Sequence, residues 1–590
     1  MSEAIETEID ALEAAIGRFR AGRLAEPVFT ETRLRHGVYG QRQDGVHMIR
    51  IKLPLGRVGA GALRTIADVA ETYGNGVAHL TTRQDVQFHF VALERAPELL
   101  RDLARVDVTA REACGNVVRN VTAGALSGVS PTEAFDVTPH GLSLASALLR
   151  HPLGQDLGRK FKVRLSGEAD PALHEALFHD LGLVAQVRHG RRGFTAYVGG
   201  GLGAIPYRAE VLYEFLPEDE LLEVALAILV VFGARGERRK RARARLKFLV
   251  ADMGLDAFRA EVERARRDVQ LERRGWLDHE RGVERRPVPQ EAAFPVGEGE
   301  DEARWIASNV HLQRQRGYAA VAIRVPRGDL SPAQLRGLAG LLDAVPGAAV
   351  RVDVDQNLVL RWVPVGRLRE VRSGLVVLGL GDAGDLDPVT CPGADTCKLG
   401  ITSPRSIAAD VERALAPLRD DPRVAALRVH VSGCPNSCAR HQIADVGLHG
   451  AARTVDGRSA PHYALVLGGH AGGEQFGGPH GKVPAARAGD AVGAIVRAFV
   501  EGAETAERFH AWLARVGRGG VREIVQPLTG LPPYAAAPAL YREPGRDEAF
   551  AVRRGTGECA GEVVGGADLA VALADSHVDR ALDAEEAGRT

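Results

Sequence analysis

The chain has 590 residues, 45% hydrophobic and 26% charged, with 75 Lys+Arg against 76 Asp+Glu and a net charge of −1. That balance excludes a general nucleic-acid binder, which carries a basic excess, and six cysteines in this length exclude a disulfide scaffold. The longest strongly apolar run, residues 224–233, is too short to cross a bilayer, and the acidic opening MSEAIETEIDALEAAIG reads as neither a signal nor a transit peptide, so a cytoplasmic protein is expected.

After the N-terminal segment, residues 51–56 (IKLPLG) read as a strand, 62–71 (ALRTIADVAE) as an amphipathic helix and 81–88 (TTRQDVQF) as a strand. The same succession returns at an offset of 272, in 323–328 (IRVPRG), 334–343 (QLRGLAGLLD) and 353–360 (DVDQNLVL). The segments that follow correspond as well: 161–167 (FKVRLSG) with 427–433 (LRVHVSG), and 196–202 (AYVGGGL) with 464–470 (ALVLGGH). The chain thus reads as a duplicated two-part unit, about 40–260 and 310–530. Residues 268–302, charged, with Pro287 and Pro289 and no apolar period, read as a linker. The tail from 536 is rich in Ala, Gly and charge, and 568–586 reads as a helix.

Four cysteines, Cys391, Cys397, Cys434 and Cys438, cluster as C-x5-C, 36 residues, C-x3-C. Clustered thiols in a reducing compartment are metal ligands or redox groups more often than disulfides. Zinc pairs are usually spaced x2 to x4. Soft thiolates also select iron–sulfur clusters, and four can hold a [4Fe–4S] cube. The Pro and Gly beside each pair suit tight loops whose N–H groups reach cluster sulfurs.

The run SGCPNSC at 432–438, with DVGL at 445–448, resembles the signature of the sulfite and nitrite reductases that carry sirohaem. The resemblance covers about 30–535 and includes the duplication. It implies that the four cysteines bind a [4Fe–4S] cluster and that Cys438 also bridges to the sirohaem iron.

Lysine is rare, seven of 75 cationic residues, so Lys160 and Lys162 in GRKFK stand out: a Lys pKa can be tuned and Arg's cannot. The resemblance implies that Arg50, Arg119, Lys160 and Lys162 are the substrate cations, with the arginines as anchors and the lysines as proton donors. It implies that Arg83, Gln87, Arg159, Arg243 and Lys247 hold the sirohaem carboxylates. Residues 239–247 also read as a basic helix face. At His79 a relative has Arg. The glycine run 199–203 opens no dinucleotide loop and is expected to let the macrocycle approach. Tyr39 and Cys114 resemble a pair that lies beside the sirohaem in some ferredoxin-dependent members, joined there by a thioether. Where relatives resemble dedicated nitrite reductases, the position of Lys162 is Asn.

The expected fold class is α+β: internally duplicated ferredoxin-like half-domains plus two sirohaem/[4Fe–4S]-binding α/β domains. The expected boundaries are 1–39 (N-terminal segment), 40–100 (first repeat), 108–265 (first sirohaem/substrate domain), 266–305 (linker), 306–372 (second repeat), 385–535 (second, cluster-binding domain) and 536–590 (tail). The expected function is six-electron reduction of sulfite to sulfide. Electrons would come from ferredoxin, or else a separate flavoprotein, since no flavin or nicotinamide motif is visible. The chain is expected to act as a monomer. The alternatives are a nitrite reductase of the same family, a member acting with oxygen on corrin precursors, and a non-catalytic iron–sulfur carrier.

Overall fold

A computed structural model describes the chain except residues 1, 171–174, 270–274, 285–296, 298, 383–386, 473–474, 554 and 556–590. The helix expected at 568–586, and Cys559, lie outside the described residues. Strands of the first half are β1 (Val38–Gly40), β2 (Val46–Ile51), β3 (Arg57–Val58), β4 (Ala78–Leu80), β5 (Val86–Ala92), β6 (Val118–Ala123), β7 (Phe161–Ser166), β8 (Leu181–Arg188), β9 (Arg191–Val198) and β10 (Glu210–Pro217). Those of the second are β11 (Val310–Leu312), β12 (Tyr318–Ile323), β13 (Asp329–Leu330), β14 (Ala349–Val352), β15 (Leu358–Pro364), β16 (Val389–Thr390), β17 (Val429–Ser432), β18 (Val446–Val455), β19 (Arg458–Leu467) and β20 (Gly478–Pro484).

Among the described residues these form four five-stranded sheets, ordered β1-β2-β5-β4-β13, β11-β12-β15-β14-β3, β10-β9-β8-β7-β6 and β16-β17-β18-β19-β20. The first two sheets exchange their edges. Asp329 pairs with His79 and Leu330 with Ala78, while Arg57 pairs with Arg351 and Val58 with Val350. The helices Ala60–Tyr73 and Pro332–Ala344 pack together, bridged by Arg64–Asp343 and by Arg336 with Asp68 and Glu71. One apolar core runs through both sheets, with Ile51, Phe88, Ile323 and Leu360 in it. The last two sheets each carry parallel strands first and antiparallel ones after, and each buries its own core, around Phe161 and Phe232 in one and Val431 and Trp512 in the other. The α+β duplication expected from the repeat is therefore present in the fold.

Backbone conformation repeats with the sequence. Leu55 and Arg327 both have φ 57°, and Gln84 and Gln356 have φ 58° and 64°, left-handed values unusual for residues with a Cβ. Next to the first pair, Gly56 is irreplaceable because a Cβ there would lie 2.2 Å from the Val352 carbonyl.

The N-terminal segment forms two helices, Glu3–Arg20 and Glu26–Arg35, the first burying Ile9, Leu12, Ala15 and Ile16 on one face. The apolar run at 224–233 lies in the buried helix Leu221–Arg235. No helix among the described residues is long and apolar enough to cross a membrane. The basic stretch 239–247 is not one helix: a short turn, Arg241–Arg243, breaks before the helix Leu246–Met253, so its cations do not share a face.

Candidate active site

β16 and β17 are parallel neighbours, pairing Val389 with His430 and Thr390 with Val431. Both cysteine loops leave the carboxyl ends of these strands, where open α/β sheets place their ligands. Cys391 follows β16 directly, and Gly433 follows β17. The Gly433 N–H donates to Cys391 Sγ at 3.3 Å, and its carbonyl accepts from Ile401 N at 2.9 Å and Thr402 N at 3.1 Å. A Cβ on Gly433 would sit 2.6 Å from the Thr402 carbonyl, so only glycine lets the two loops close. Burial pushes the Cys391 thiol up to about 12 and Cys434 well above its usual value; the nearby Cys438 and Cys397 sulfurs add to both. Thiols held up in this way lose their protons when a metal centre supplies positive charge.

The first half meets this loop pair from the other side. Thr82 Oγ1 donates to the Cys438 carbonyl at 2.9 Å. Arg42 donates to the carbonyls of Gly400 at 2.6 Å and Cys397 at 3.2 Å, and its own N–H reaches the Thr396 carbonyl at 2.7 Å. Between the halves lies a cavity whose wall includes all four cysteines.

Arg50, Arg119, Lys160 and Lys162 all line that cavity, as do Arg83, Gln87, Arg159, Arg243, Lys247 and Tyr39. Arg50 on β2 stands opposite Gln87 on β5. With its amide oxygen turned toward Arg50, Gln87 accepts from Arg50 Nε at 2.9 Å. The Arg119 guanidinium is buried and spends three N–H groups on carbonyls, Ala113 at 2.8 Å and Gly115 at 2.9 and 3.1 Å. Arg83 donates to His179 Nε2 at 2.7 Å and to the Asn120 carbonyl at 2.5 Å; burial lowers its pKa to about 10. Lys162 is half-buried at the mouth of β7, its N–H donating to Asp180 at 2.9 Å. Desolvation holds its ammonium well below the ordinary lysine value, helped by Lys160, Arg83 and Arg245 and opposed by Asp180.

Two of the expected carboxylate-holding residues also meet protein groups: Lys247 Nζ is turned onto the carbonyls of Gly201, Leu202 and Ile205, and Arg243 donates to Asp252 at 2.7 Å. Of the glycine run 199–203, only Gly203 reaches the cavity wall, beside Leu202. A Cβ on Gly200 would clash with the Leu177 carbonyl at 2.4 Å, and one on Gly201 with the Arg245 guanidinium at 2.8 Å. Those two glycines serve protein packing, a correction to the role expected for them.

Tyr39 packs on a small cluster of Leu34, Met48 and Cys114. Cys114 is fully buried, 3.8 Å from the Gly37 carbonyl. His79 pairs with Asp329 at 2.7 Å, and Arg405 from the second half reaches the same carboxylate at 3.1 Å. A cation thus stands beside the position where the relative carries one.

Sequence reasoning missed several cavity residues. Arg245 Nη2 donates to both carboxylate oxygens of Asp180, at 3.0 and 2.9 Å. Arg440 bonds Glu175 at 2.5 Å and also Asp355. Asp85, buried beside Arg50, Arg83 and Lys52, has its pKa raised to about 6 by desolvation, which outweighs those cations. The signal for Asp85 was present in TTRQD; Arg245 and Arg440 depend on partners 65 and 265 positions away.

The residues fit the two expected cofactors. Among the described residues no three of the four Sγ atoms fall within 4.8 Å of one another. Sulfurs about one zinc ion would be roughly 3.8 Å apart, so the four are spread for something larger. Thr390 Oγ1, Ser437 Oγ and Arg83 Nε belong to cavity-lining residues and are buried with no hydrogen-bond partner, the pattern of a wall built for a polar group.

Comparison with known proteins agrees. The chain matches the family model "Nitrite and sulphite reductase 4Fe-4S domain" at 114–269 and 382–530, and "Nitrite/Sulfite reductase ferredoxin-like half domain" at 39–106 and 311–377. It is 32% identical over 519 residues to sulfite reductase [ferredoxin] 2 of Mycolicibacterium paratuberculosis, covering 82% of this chain and 88% of that one. It is 29% identical to the assimilatory ferredoxin-dependent nitrite reductase of Haloferax mediterranei, covering 83% and 86%. The solved structure of the Mycobacterium tuberculosis NirA protein superposes with a TM-score of 0.75 at 28% identity, covering 87% and 95%.

Proposed function

Because the chain belongs to the nitrite and sulfite reductase family, we propose that it reduces sulfite to sulfide with electrons from ferredoxin. The family's cofactors are sirohaem and a [4Fe–4S] cluster. Cys391, Cys397, Cys434 and Cys438 would hold the cluster, with Cys438 shared, and Arg83, Gln87, Arg159 and Arg243 would face the macrocycle's carboxylates. When bound, the coupled pair supplies electrons singly to an anion at the sirohaem iron.

The single observation that carries the substrate assignment is Lys162 on the cavity wall beside Lys160, Arg50 and Arg119. Sulfite is a dianion, and its conversion to hydrosulfide and three waters takes six electrons and seven protons. Arg119, tied by three hydrogen bonds to carbonyls, is a fixed anchor; Arg50, steadied by Gln87, is a second. Charge that develops on the substrate is offset by groups already in place. Lys160 and Lys162 hold protons at Nζ, and the depressed pKa of Lys162 makes it the readier donor. Lys247 is assigned to ordering the 201–205 loop that borders the site. One chain supplies both walls, which supports a monomer as the acting unit.

The test is a product assay with reduced ferredoxin: sulfide from sulfite at a kcat/KM above that for ammonia from nitrite. A strong preference for nitrite would assign the nitrite branch instead. Robust NADPH-driven turnover by the chain alone would exclude an external donor.

A further inference from the structure

Away from the cavity, His140, Glu218 and His279 bring one ligand atom each to within 4.8 Å of the other two, and among the described residues they alone form such a trio. None of the three lines the active-site cavity. His140 comes from the helix Thr138–Leu148 and is fully buried against Phe135 and Phe194. Its Nε2 lies 2.7 Å from Glu218, which opens the turn before the helix Leu221–Arg235. His279 is exposed and comes from the segment that joins the halves. We propose that these three residues bind a zinc ion, which pins the joining segment to the first half.

The chemistry favours that ion. Two imidazoles and one carboxylate are a recurrent zinc set, with ligands roughly 3.4 Å apart about a tetrahedral centre. Imidazole donors disfavour magnesium and calcium, which prefer oxygen. Glu218 and His279 line a surface depression together with Arg191, Arg192, Asp219 and Trp276, so water can reach the trio and complete the shell.

The placement explains why such a site would matter. The segment 275–284 also touches the first half through Trp276 Nε1, which donates to the Asp219 carbonyl at 3.1 Å, and Asp278 N, which donates to Ser143 Oγ at 3.3 Å. It then carries Glu284 into the second half, where Glu284 meets Trp362 and the buried Arg361 and also lies near Arg57. Arg361 and Arg351 are each 1% exposed, and Glu284 acts on both ahead of Asp136. A metal at the trio fixes the strap that delivers this carboxylate.

The experiment uses the holoprotein with its cluster intact, so the four cysteines cannot compete for zinc. Protein stripped with EDTA is titrated with zinc by calorimetry, and bound metal is counted by mass spectrometry. One equivalent at micromolar affinity or tighter is expected, with affinity falling roughly a hundredfold in His279→Ala and at least tenfold in Glu218→Gln. His279 is exposed, so its replacement leaves the core alone. Zinc should also raise Tm in the wild type and not in His279→Ala. Equal stoichiometry and affinity in wild type and His279→Ala, or no equivalent bound by the wild type, overturns the proposal while leaving the reductase assignment untouched.

Discussion

Gln84 and Gln356, 272 positions apart, each reach into the other's half and grip its main chain. Gln84 Nε2 donates to the Val352 carbonyl and Gln356 Nε2 to the Leu80 carbonyl, both at 2.8 Å. The acceptors are themselves 272 apart. Each amide oxygen then accepts from the strand leading to the active site: Gln84 from Ala123 N at 3.0 Å, Gln356 from Thr390 N at 2.8 Å. The pair is a pseudo-symmetric clasp, and Thr390 is the residue before Cys391.

The clasp predicts two variants with one shared effect and one private effect. Gln84→Ala and Gln356→Ala each leave buried donors and acceptors unsatisfied, which costs about 2–4 kcal/mol; urea unfolding measures it. Only Gln356→Ala should also lower cluster iron, because only it frees the Cys391 loop. Equal iron in both variants would refute that linkage.

Cluster assembly should depend on pH. The thiols of Cys391, Cys397 and Cys434 are all held above their usual value in the cluster-free chain. Each must lose a proton to bind iron, so reconstitution at pH 8.5 should run faster than at pH 6.5. Cys438→Ser should lose the cluster or its coupling to the sirohaem, seen in iron content and in the electron paramagnetic resonance spectrum. Zinc at these four thiols in matured protein would contradict the assignment.

Lys162 separates two jobs. Lys162→Asn removes the charge and should move the sulfite-to-nitrite ratio of kcat/KM toward nitrite. Lys162→Arg keeps the charge and removes the transferable proton, so kcat for sulfite should fall by roughly 10²-fold. Since the protonated lysine is the active form and its pKa is depressed, wild-type activity should decline with rising pH before the ordinary lysine range. That alkaline limb should disappear in Lys162→Arg.

Cys114 should resist iodoacetamide in the native protein, being fully buried, and react completely after denaturation. Should the thioether to Tyr39 form on maturation, the joined peptides would instead weigh two hydrogens less than the separate pair, and Cys114 would escape alkylation.

Much of this site was legible because its residues sit in short motifs. The cysteine spacing, the lysine pair and TTRQ could be picked out because each is a short motif that resembles the family's, and the repeat placed the two motif sets in opposite halves. Arg245, Arg440 and Arg42 were not legible: each is one arginine among many, distinguished only by a distant partner such as Asp180, Glu175 or the Gly400 carbonyl. Lys247 is the converse case. Its motif was visible, but the loop carbonyls that occupy its Nζ come from 42–46 positions away. The basic stretch 239–247 misled because helical charge spacing ignores the break at Arg241–Arg243.

The exchanged edges have a consequence during synthesis. β4 is complete once residue 80 has left the ribosome, yet its edge partner β13 arrives only with residues 329 and 330. At 5–20 residues per second the nascent first half waits roughly 12–50 s with that edge open. An open strand edge invites pairing with any neighbouring chain, most readily a sister nascent chain on the same messenger. Translation speed across the stretch 80–330 is therefore a lever on yield: slow codons there should increase aggregation, and chaperone supply should reverse it.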